Sequence, residues 1–199
     1  MTPAPEGNRG VDSLNISLLV KKATEGDSES FGKLYDTYLE PIYRYVYHQV
    51  RDNEMAEDIT QEVFIKAWKV IKSCRGREST FKAWLYRIAH NHTVDCFRRQ
   101  KHESRIDIDN HDFGEEKRSL DATLDEIAEG DEASRALSEL VFLPDNQRQV
   151  VILKFIEGLD NQEISKVMGK SQGAIRVLQF RALAELRKRM LDCGFKDEQ

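Results

Sequence analysis

The last amphipathic segment of the sequence combines two arginines and two apolar side chains on one helical face. Projected as a helix, residues 171–191 place Arg176, Val177, Phe180 and Arg181 opposite the core stripe. Arginine can bind guanine edges or phosphate, and Val and Phe can contact thymine methyl groups. The segment DNQEISKVMG and a GKS turn precede it, which is helix-turn-helix spacing. We therefore predict that this face reads duplex DNA, in preference to a solvated basic face.

An earlier helical segment carries a second set of groups suited to nucleic acid. Trp84, Arg87, Asn91 and Arg98 line up beside its core stripe, after the basic loop 73–80. An aromatic ring, an amide and guanidinium groups can hold the unstacked bases of a single strand. Taken alone, Trp84 would be a core residue and Arg87 a solvated one. Their alignment favours a nucleic-acid interface.

The stretch DITQEVFIKAW places an apolar residue, Ile65, on an acidic helical face beside Asp58, Gln61 and Glu62. Such a face suits a protein partner that surrounds a small apolar spot with basic side chains. A single exposed aliphatic side chain is also commonplace on protein surfaces. On these residues alone, a docking surface and a stray isoleucine are equally good interpretations.

Patterns typical of catalysis or metal binding do not occur. The five histidines lack the H-E-x-x-H spacing, and the sequence holds no Gly-x4-Gly-Lys phosphate loop. The three cysteines match neither a disulfide framework nor zinc-ligand spacing. The acidic residues are interpreted as members of solvated runs. We therefore expect no enzyme activity, no cofactor and no metal.

The elements that position these groups are predicted to be helical throughout. The first helix should start at an Asp27 cap, with Pro41 kinking or breaking it, and the second should start at an Asn53 cap. In the C-terminal part, Gly158 should end a helix, and Asp160 with Glu163 forms a capping-box pattern. The last helix should start from a Ser171 cap. The predicted core stripes are Phe31, Leu34, Tyr35, Tyr38, Ile42, Tyr45 and Val46 in the first helix; Ala56, Ile59, Val63, Ala67 and Val70 in the second; Phe81, Leu85, Ile88, Ala89 and His92 in the third; and Ile175, Leu178, Ala182, Leu186 and Met190 in the last.

Charge divides the 199-residue chain more sharply than its net charge of -5 indicates. Residues 75–105 and 170–190 are basic, whereas 107–132 is strongly acidic and poor in large apolar residues. We predict an all-α fold of two small helical domains joined by a flexible acidic linker. The expected parts are a disordered lead 1–14, a domain 15–100, the linker 101–131, a domain 132–192 and a tail 193–199. As a coil, the linker would average roughly 30 Å end to end and could stretch to about 100 Å.

Neither a run of about 20 apolar residues nor a basic and apolar export signal is present. We therefore expect a cytoplasmic protein without direct membrane insertion.

Two long stretches resemble the sigma-70 superfamily of RNA polymerase sigma factors, in particular its extracytoplasmic-function (ECF) subfamily. FGKLYDTYLEPIYRYVYHQVRDNEMAEDITQEVFIKAWKVI and RGRESTFKAWLYRIAHNHTVDCFRR are similar to sigma region 2. LPDNQRQVVILKFIEGLDNQEISKVMGKSQGAIRVLQFRALAELR is similar to sigma region 4. Arg77 looks inserted relative to the family pattern, and AIRVLQF replaces its commoner basic and serine-containing sequence. The resemblance implies a minimal factor with these two regions.

The resemblance also implies partners and roles for the residues above. By this resemblance, the D-x-x-Q-E-x-F segment would dock on the beta-prime clamp helices of core RNA polymerase. Region 4 would dock on the beta flap. The loop and helix that follow the D-x-x-Q-E-x-F segment imply capture of melted minus-10 DNA, and the helix-turn-helix implies reading of the duplex minus-35 element. An anti-sigma factor is a further implied partner. The residues are Asp58, Gln61, Glu62 and Ile65 for the polymerase; Arg75, Gly76, Trp84, Arg87 and Asn91 for minus-10; and Arg176, Val177, Phe180 and Arg181 for minus-35.

Two functions thus remain to be compared. The first is a sigma factor that binds core RNA polymerase and directs promoter-specific initiation. The alternative is a stand-alone helix-turn-helix transcriptional regulator whose N-terminal domain senses a ligand or dimerises. A sigma factor should bind promoter duplex poorly without core polymerase, whereas a regulator should bind DNA unaided.

Overall fold

A computed structural model describes residues 9–75, 80–106 and 138–192, with side chains at 15–75, 80–99 and 138–191. Every regular element in these ranges is helical, which confirms the predicted all-α class. The elements are α1 (Arg9–Thr24), α2 (Ser28–Val50), α3 (Asn53–Val70), a 3-10 turn (Ile71–Cys74), α4 (Phe81–Ile106), a 3-10 turn (Leu140–Phe142), α5 (Asp145–Val151), a π-helical segment (Ile152–Ile156), α6 (Asn161–Met168) and α7 (Gln172–Asp192).

Helices α1 to α4 form an N-terminal bundle. Helix α2 lies at its centre, in contact with α1, α3 and α4, because apolar residues recur along it at helical spacing. The rings of Tyr45 and Tyr86 meet edge to face in the core, with 5.3 Å between their centroids. Helix α1 begins at Arg9, so residues 9–14 of the predicted disordered lead are helical.

The start of α2 follows the prediction. An Asp27 oxygen accepts a hydrogen bond from the Glu29 N–H at 3.1 Å, and the Ser30 hydroxyl donates to the other oxygen at 2.6 Å. The helix then passes Pro41 and reaches Val50, so the alternative that Pro41 breaks it is wrong. Burial of Ile42, Tyr45 and Val46 stabilises the turns that surround the proline.

Helix α3 differs from the prediction at both ends. Its cap is Asp52 rather than Asn53, since the Asp52 carboxylate accepts from the Met55 N–H at 2.8 Å. Val70 is 42% exposed and is therefore no core residue, because it ends the helix where the chain turns. Phe64, which the predicted stripe omitted, is buried.

Helices α5 to α7 and the π-helical segment form a C-terminal unit. Gly158 ends the segment with φ +67°, and Asp160 and Glu163 form the predicted capping box, with both hydrogen bonds at 2.8 Å. Gly169 adopts φ +64°, which turns the chain between α6 and α7 and favours glycine. The Ser171 hydroxyl accepts from the Ala174 N–H at 3.2 Å, so the predicted cap of α7 is confirmed.

The bundle and the C-terminal unit contact each other. Helix α4 packs against α6, and α2 packs against the π-helical segment. Helix α4 continues to Ile106, so residues 101–106 of the predicted linker are helical, while 107–131 lie outside the described residues. Among the described helices, none is both long enough and apolar enough to cross a membrane.

Candidate functional site

The outer face of α7 is the first candidate interface. Ile175 and Ala182 are fully buried against the rest of the C-terminal unit, which fixes the rotation of the helix. That rotation leaves Val177 and Phe180 exposed, and Phe180 has the largest exposed fraction of the large apolar side chains described, 76%. The predicted DNA-reading residues Arg176, Val177, Phe180 and Arg181 are all exposed, and they share this face.

The flank of α4 is the second candidate interface. The Trp84 ring is partly buried and tilts against the Phe81 ring, with 5.5 Å between their centroids. Arg87 and Asn91 follow at spacings of three and four residues and are exposed. An anchored aromatic ring beside exposed polar groups can stack a base and hydrogen-bond its edge.

The remaining minus-10 candidates lie in the loop before α4. Arg75 is exposed, and its backbone N–H donates to the Lys72 carbonyl at 3.2 Å, which closes the 3-10 turn. Gly76 and Arg77 lie outside the described residues. The loop therefore starts from a fixed turn next to the α3 end of the bundle.

The third candidate is the outer face of α3, where Ile65 is 53% exposed. Asp58, Gln61 and Glu62 are exposed on the same helix, whose opposite side buries Ile59, Val63 and other apolar residues. The predicted surface of acidic and amide groups around one aliphatic side chain is therefore present.

One hydrogen bond connects the second and third candidates. Glu62 on α3 contacts the His92 Nε2 of α4 at 2.5 Å, and His92 is buried next to the exposed Asn91. The sequence analysis assigned His92 only to the core. The bond joins the helix with the acidic face to the helix with the aromatic flank, and the two helices also pack against each other.

The sequence analysis did not include Trp68 among the candidate residues of the α3 outer face. Trp68 lies three residues after Ile65, is 39% exposed, and rests against the Phe31 ring with 4.8 Å between centroids. Its spacing of seven residues from Gln61 was the signal that could have placed it on the same face.

The cysteine, histidine and acidic side chains are the groups that bear on metal binding and catalysis. In the described part of the chain, no three His, Cys, Asp or Glu residues cluster as metal ligands would. Within the described ranges, Cys74 and Cys96 form no disulfide, and burial raises the pKa of Cys96, which disfavours the reactive thiolate. The interpretation of all acidic residues as solvated is wrong for Glu157, whose side chain is 2% exposed because helices α2 and α4 cover it.

Comparison with known families matches both parts of the chain. The family described as Sigma-70 region 2 matches residues 34–103, and the family described as Sigma-70, region 4 matches residues 140–188. The first range holds the α3 face and the α4 flank, and the second holds the α7 face.

Several curated relatives align over most of this chain. The ECF RNA polymerase sigma factor BldN of Streptomyces coelicolor is 34% identical over 91% of this chain and 68% of its own length. SigX and SigW of Bacillus subtilis, also ECF sigma factors, are 34% and 32% identical over 81% and 89% of this chain, and 84% and 97% of their own lengths.

Solved structures share the fold at lower identity. The sigma factor RpoE of Bartonella quintana, in complex with the anti-sigma factor NepR, aligns with a TM-score of 0.66 and 20% identity over 84% of this chain and 99% of that one. CnrH in complex with the cytosolic domain of CnrY aligns with a TM-score of 0.64 and 23% identity, over 91% and 99% of the two chains. With both regions matched in order, and with ECF sigma factors of about one-third identity aligned over most of this chain, the chain belongs to the ECF subfamily of sigma-70 RNA polymerase sigma factors, which direct RNA polymerase to promoters.

Proposed function

We propose that this sigma factor divides promoter recognition between its two helical units, with α4 reading melted minus-10 DNA and α7 reading the duplex minus-35 element. The observation that carries the proposal is the exposed face of α7. There, two arginines and two apolar side chains stand opposite a buried stripe, as a major-groove helix requires.

Core RNA polymerase binds the outer face of α3 in this proposal. Asp58, Gln61 and Glu62 offer acceptors to basic side chains, and Ile65 fills a small apolar pocket on the beta-prime clamp helices. The C-terminal unit docks on the beta flap. Support comes from the exposure of Ile65 and from the match to Sigma-70 region 2.

Melted minus-10 DNA binds the flank of α4 and the preceding loop. Trp84 stacks a base, while Arg87 and Asn91 contact its edge or the backbone, and Arg75 and Gly76 also bind the strand. Support comes from the anchoring of Trp84 on Phe81 beside two exposed polar side chains.

The protein acts in the cytoplasm by binding alone, without bond chemistry of its own, and an anti-sigma factor restrains it. Family membership supports the first part, since sigma factors are initiation factors. The related RpoE is described in complex with an anti-sigma factor, which supports the second. A pull-down from uninduced cells should recover a second protein besides the core subunits.

Run-off transcription with core RNA polymerase tests the proposal. Core plus this protein should yield discrete transcripts from genomic fragments that core alone does not transcribe. In a mobility-shift assay, the free protein should bind the same duplexes weakly. Tight unaided binding without transcripts would instead favour a stand-alone helix-turn-helix regulator.

A further inference from the structure

The hydrogen bond between His92 and Glu62 joins a buried side chain to an exposed one. The His92 side chain is 9% exposed, and its Nε2 lies 2.5 Å from Oε2 of Glu62, whose side chain is 61% exposed. An ionised carboxylate can only accept hydrogen bonds, so Nε2 carries a proton and donates it, whether the imidazole is neutral or charged. A residue of the bundle interior therefore holds one oxygen of a surface carboxylate.

The imidazole of His92 is itself held in place by the packing of α3 on α4. Its neighbours Ala89 and Thr93 on α4 are fully buried, and the Thr93 hydroxyl donates to the Ala89 carbonyl at 2.9 Å. On α3, Ile59 and Val63 are buried as well. Since side chains in a close-packed interior occupy defined rotamers, His92 is a donor with a fixed position.

The thiol of Cys96 gives a second indication of where the Glu62 carboxylate lies. Burial raises the pKa of Cys96 most, and Glu62 and Asp95 raise it further against the opposing effect of Arg99. Cys96 follows His92 by four residues, which places the two side chains on the same side of α4. The Glu62 carboxylate therefore lies over α4 and does not extend freely from α3.

The other oxygen of Glu62 is open to a partner. In the part of the chain that the structure describes, the hydrogen bond and the ion pair of Glu62 are both made with His92 through Oε2. Ile65 follows Glu62 by three residues, about 4.5 Å along the helix axis, and is 53% exposed. Glu62 is thus anchored on one side and open on the other, next to the apolar side chain of the α3 face.

An anchored carboxylate binds a cation at a lower entropic cost than a free one. A glutamate on a helix surface samples several rotamers, and an ion pair must select one of them. A side chain that is already ordered before binding avoids part of this loss, which raises the affinity. The bond to His92 therefore bears on how tightly Glu62 can bind a basic group.

We propose that His92 is a positioning residue for polymerase docking, which holds Glu62 Oε2 so that Oε1 faces an arginine or lysine of core RNA polymerase. The inference rests on the proposed function, in which the polymerase binds the outer face of α3. It adds a buried residue of α4 to an interface whose other members are exposed on α3.

Replacing the imidazole is the first test, made on the full chain. His92→Leu keeps an apolar side chain but removes the donor, whereas the amide of His92→Gln offers an N–H group near the position of Nε2. In binding titrations with core RNA polymerase, His92→Leu should raise the Kd about fivefold, and His92→Gln by less than about twofold. If calorimetry shows that His92→Leu does not fold, His92→Asn takes its place, because its shorter amide cannot reach Glu62. An equal loss in the Gln variant would assign the effect to ring packing and overturn the proposal.

A double-mutant cycle separates positioning from a general effect on folding. Glu62→Ala should raise the Kd about tenfold, and adding His92→Leu to it should change the Kd by less than about twofold, because His92 acts through Glu62. Asp58→Ala is the matched background, since Asp58 is an exposed carboxylate one turn earlier on α3. There, His92→Leu should keep its whole effect. An equal loss in both backgrounds would show that His92 does not act through Glu62.

Ile65→Glu distinguishes this inference from the proposed function. If Ile65→Glu and Glu62→Ala weaken core binding while His92→Leu binds normally, the α3 face stands and the role of His92 is refuted. If all three variants bind core normally, the α3 face is not the docking surface, and the proposed function loses that part.

Discussion

The proposed DNA face of the C-terminal unit and the candidate faces of the N-terminal bundle are built on different structural supports. On α7, Val177 and Phe180 project from a helix whose opposite side is buried. In the bundle, Trp84 rests on Phe81, and Glu62 bonds to the buried His92. Changes on α7 should therefore alter binding alone, whereas changes in the bundle can also alter folding and the relative position of two binding faces.

The largest effect is expected at the arginines of α7. Since a bidentate contact to a base discriminates by about 1–3 kcal/mol, Arg176→Ala with Arg181→Ala should reduce promoter-specific transcription by about tenfold or more. The melting temperature should stay unchanged because both side chains are exposed. Run-off transcription and calorimetry measure the two quantities. Lys21→Ala with Lys22→Ala, an equal charge change on exposed α1, is the control, and an equal loss there would assign the effect to net charge.

The next effect is expected at Ile65, which tests whether a bundle face can be changed without unfolding. Ile65→Glu should weaken core-polymerase binding by about tenfold, the equivalent of about 1.4 kcal/mol, because a charge would enter the apolar spot of the interface. Its melting temperature should match the wild type, since the side chain is 53% exposed. Leu18→Glu, at a residue 52% exposed on α1, should leave binding unchanged. Normal core binding by Ile65→Glu would make Ile65 a stray aliphatic residue.

A pH effect is expected at His48, at the end of α2. Burial, then Arg51 and Arg44, lower its pKa to about 4. The unfolded chain binds this proton below about pH 6.5, so the free energy of unfolding should fall as the pH decreases from about 6.5 to 4. Urea unfolding at pH 7 and pH 5 measures the decrease, and His48→Gln should make it smaller. An equal decrease in the variant would assign the effect to other groups.

The smallest effects are expected at the two helix caps, one in each part of the molecule. Asp27→Ala and Asp160→Ala should each lower the melting temperature slightly, because each removes a side-chain acceptor for a helix N–H group. Thermal unfolding followed by calorimetry measures both. Asp160 lies in the C-terminal unit, so Asp160→Ala should leave the α3 face intact. A loss of the core binding that depends on Ile65 would contradict this separation of the two units.

The helices and the faces of the candidate site were predictable because they depend on local order. The apolar spacing that buries Ile59 and Val63 leaves Ile65 exposed on the opposite side of the helix. The same spacing rule predicted the exposure of Phe180 correctly. Errors occurred where local rules conflict, as at Pro41, whose helix is continuous, and at the cap, where Asp52 rather than Asn53 accepts the bond. At Pro41 the flanking turns are buried in the core, and at the cap two adjacent residues both have side chains that can accept the bond.

The sequence by itself determined the all-α class, the family and the side chains exposed on each candidate face, since helical periodicity and motif spacing are properties of neighbouring residues. Only the tertiary structure decided which distant residues meet. Glu157 looks like any surface glutamate in FIEGL, yet Tyr86 and Arg44 bury it. His92 resembles a core residue, yet it holds Glu62. Contacts between residues 30 to more than 100 positions apart depend on how preformed helices pack, which no local pattern encodes.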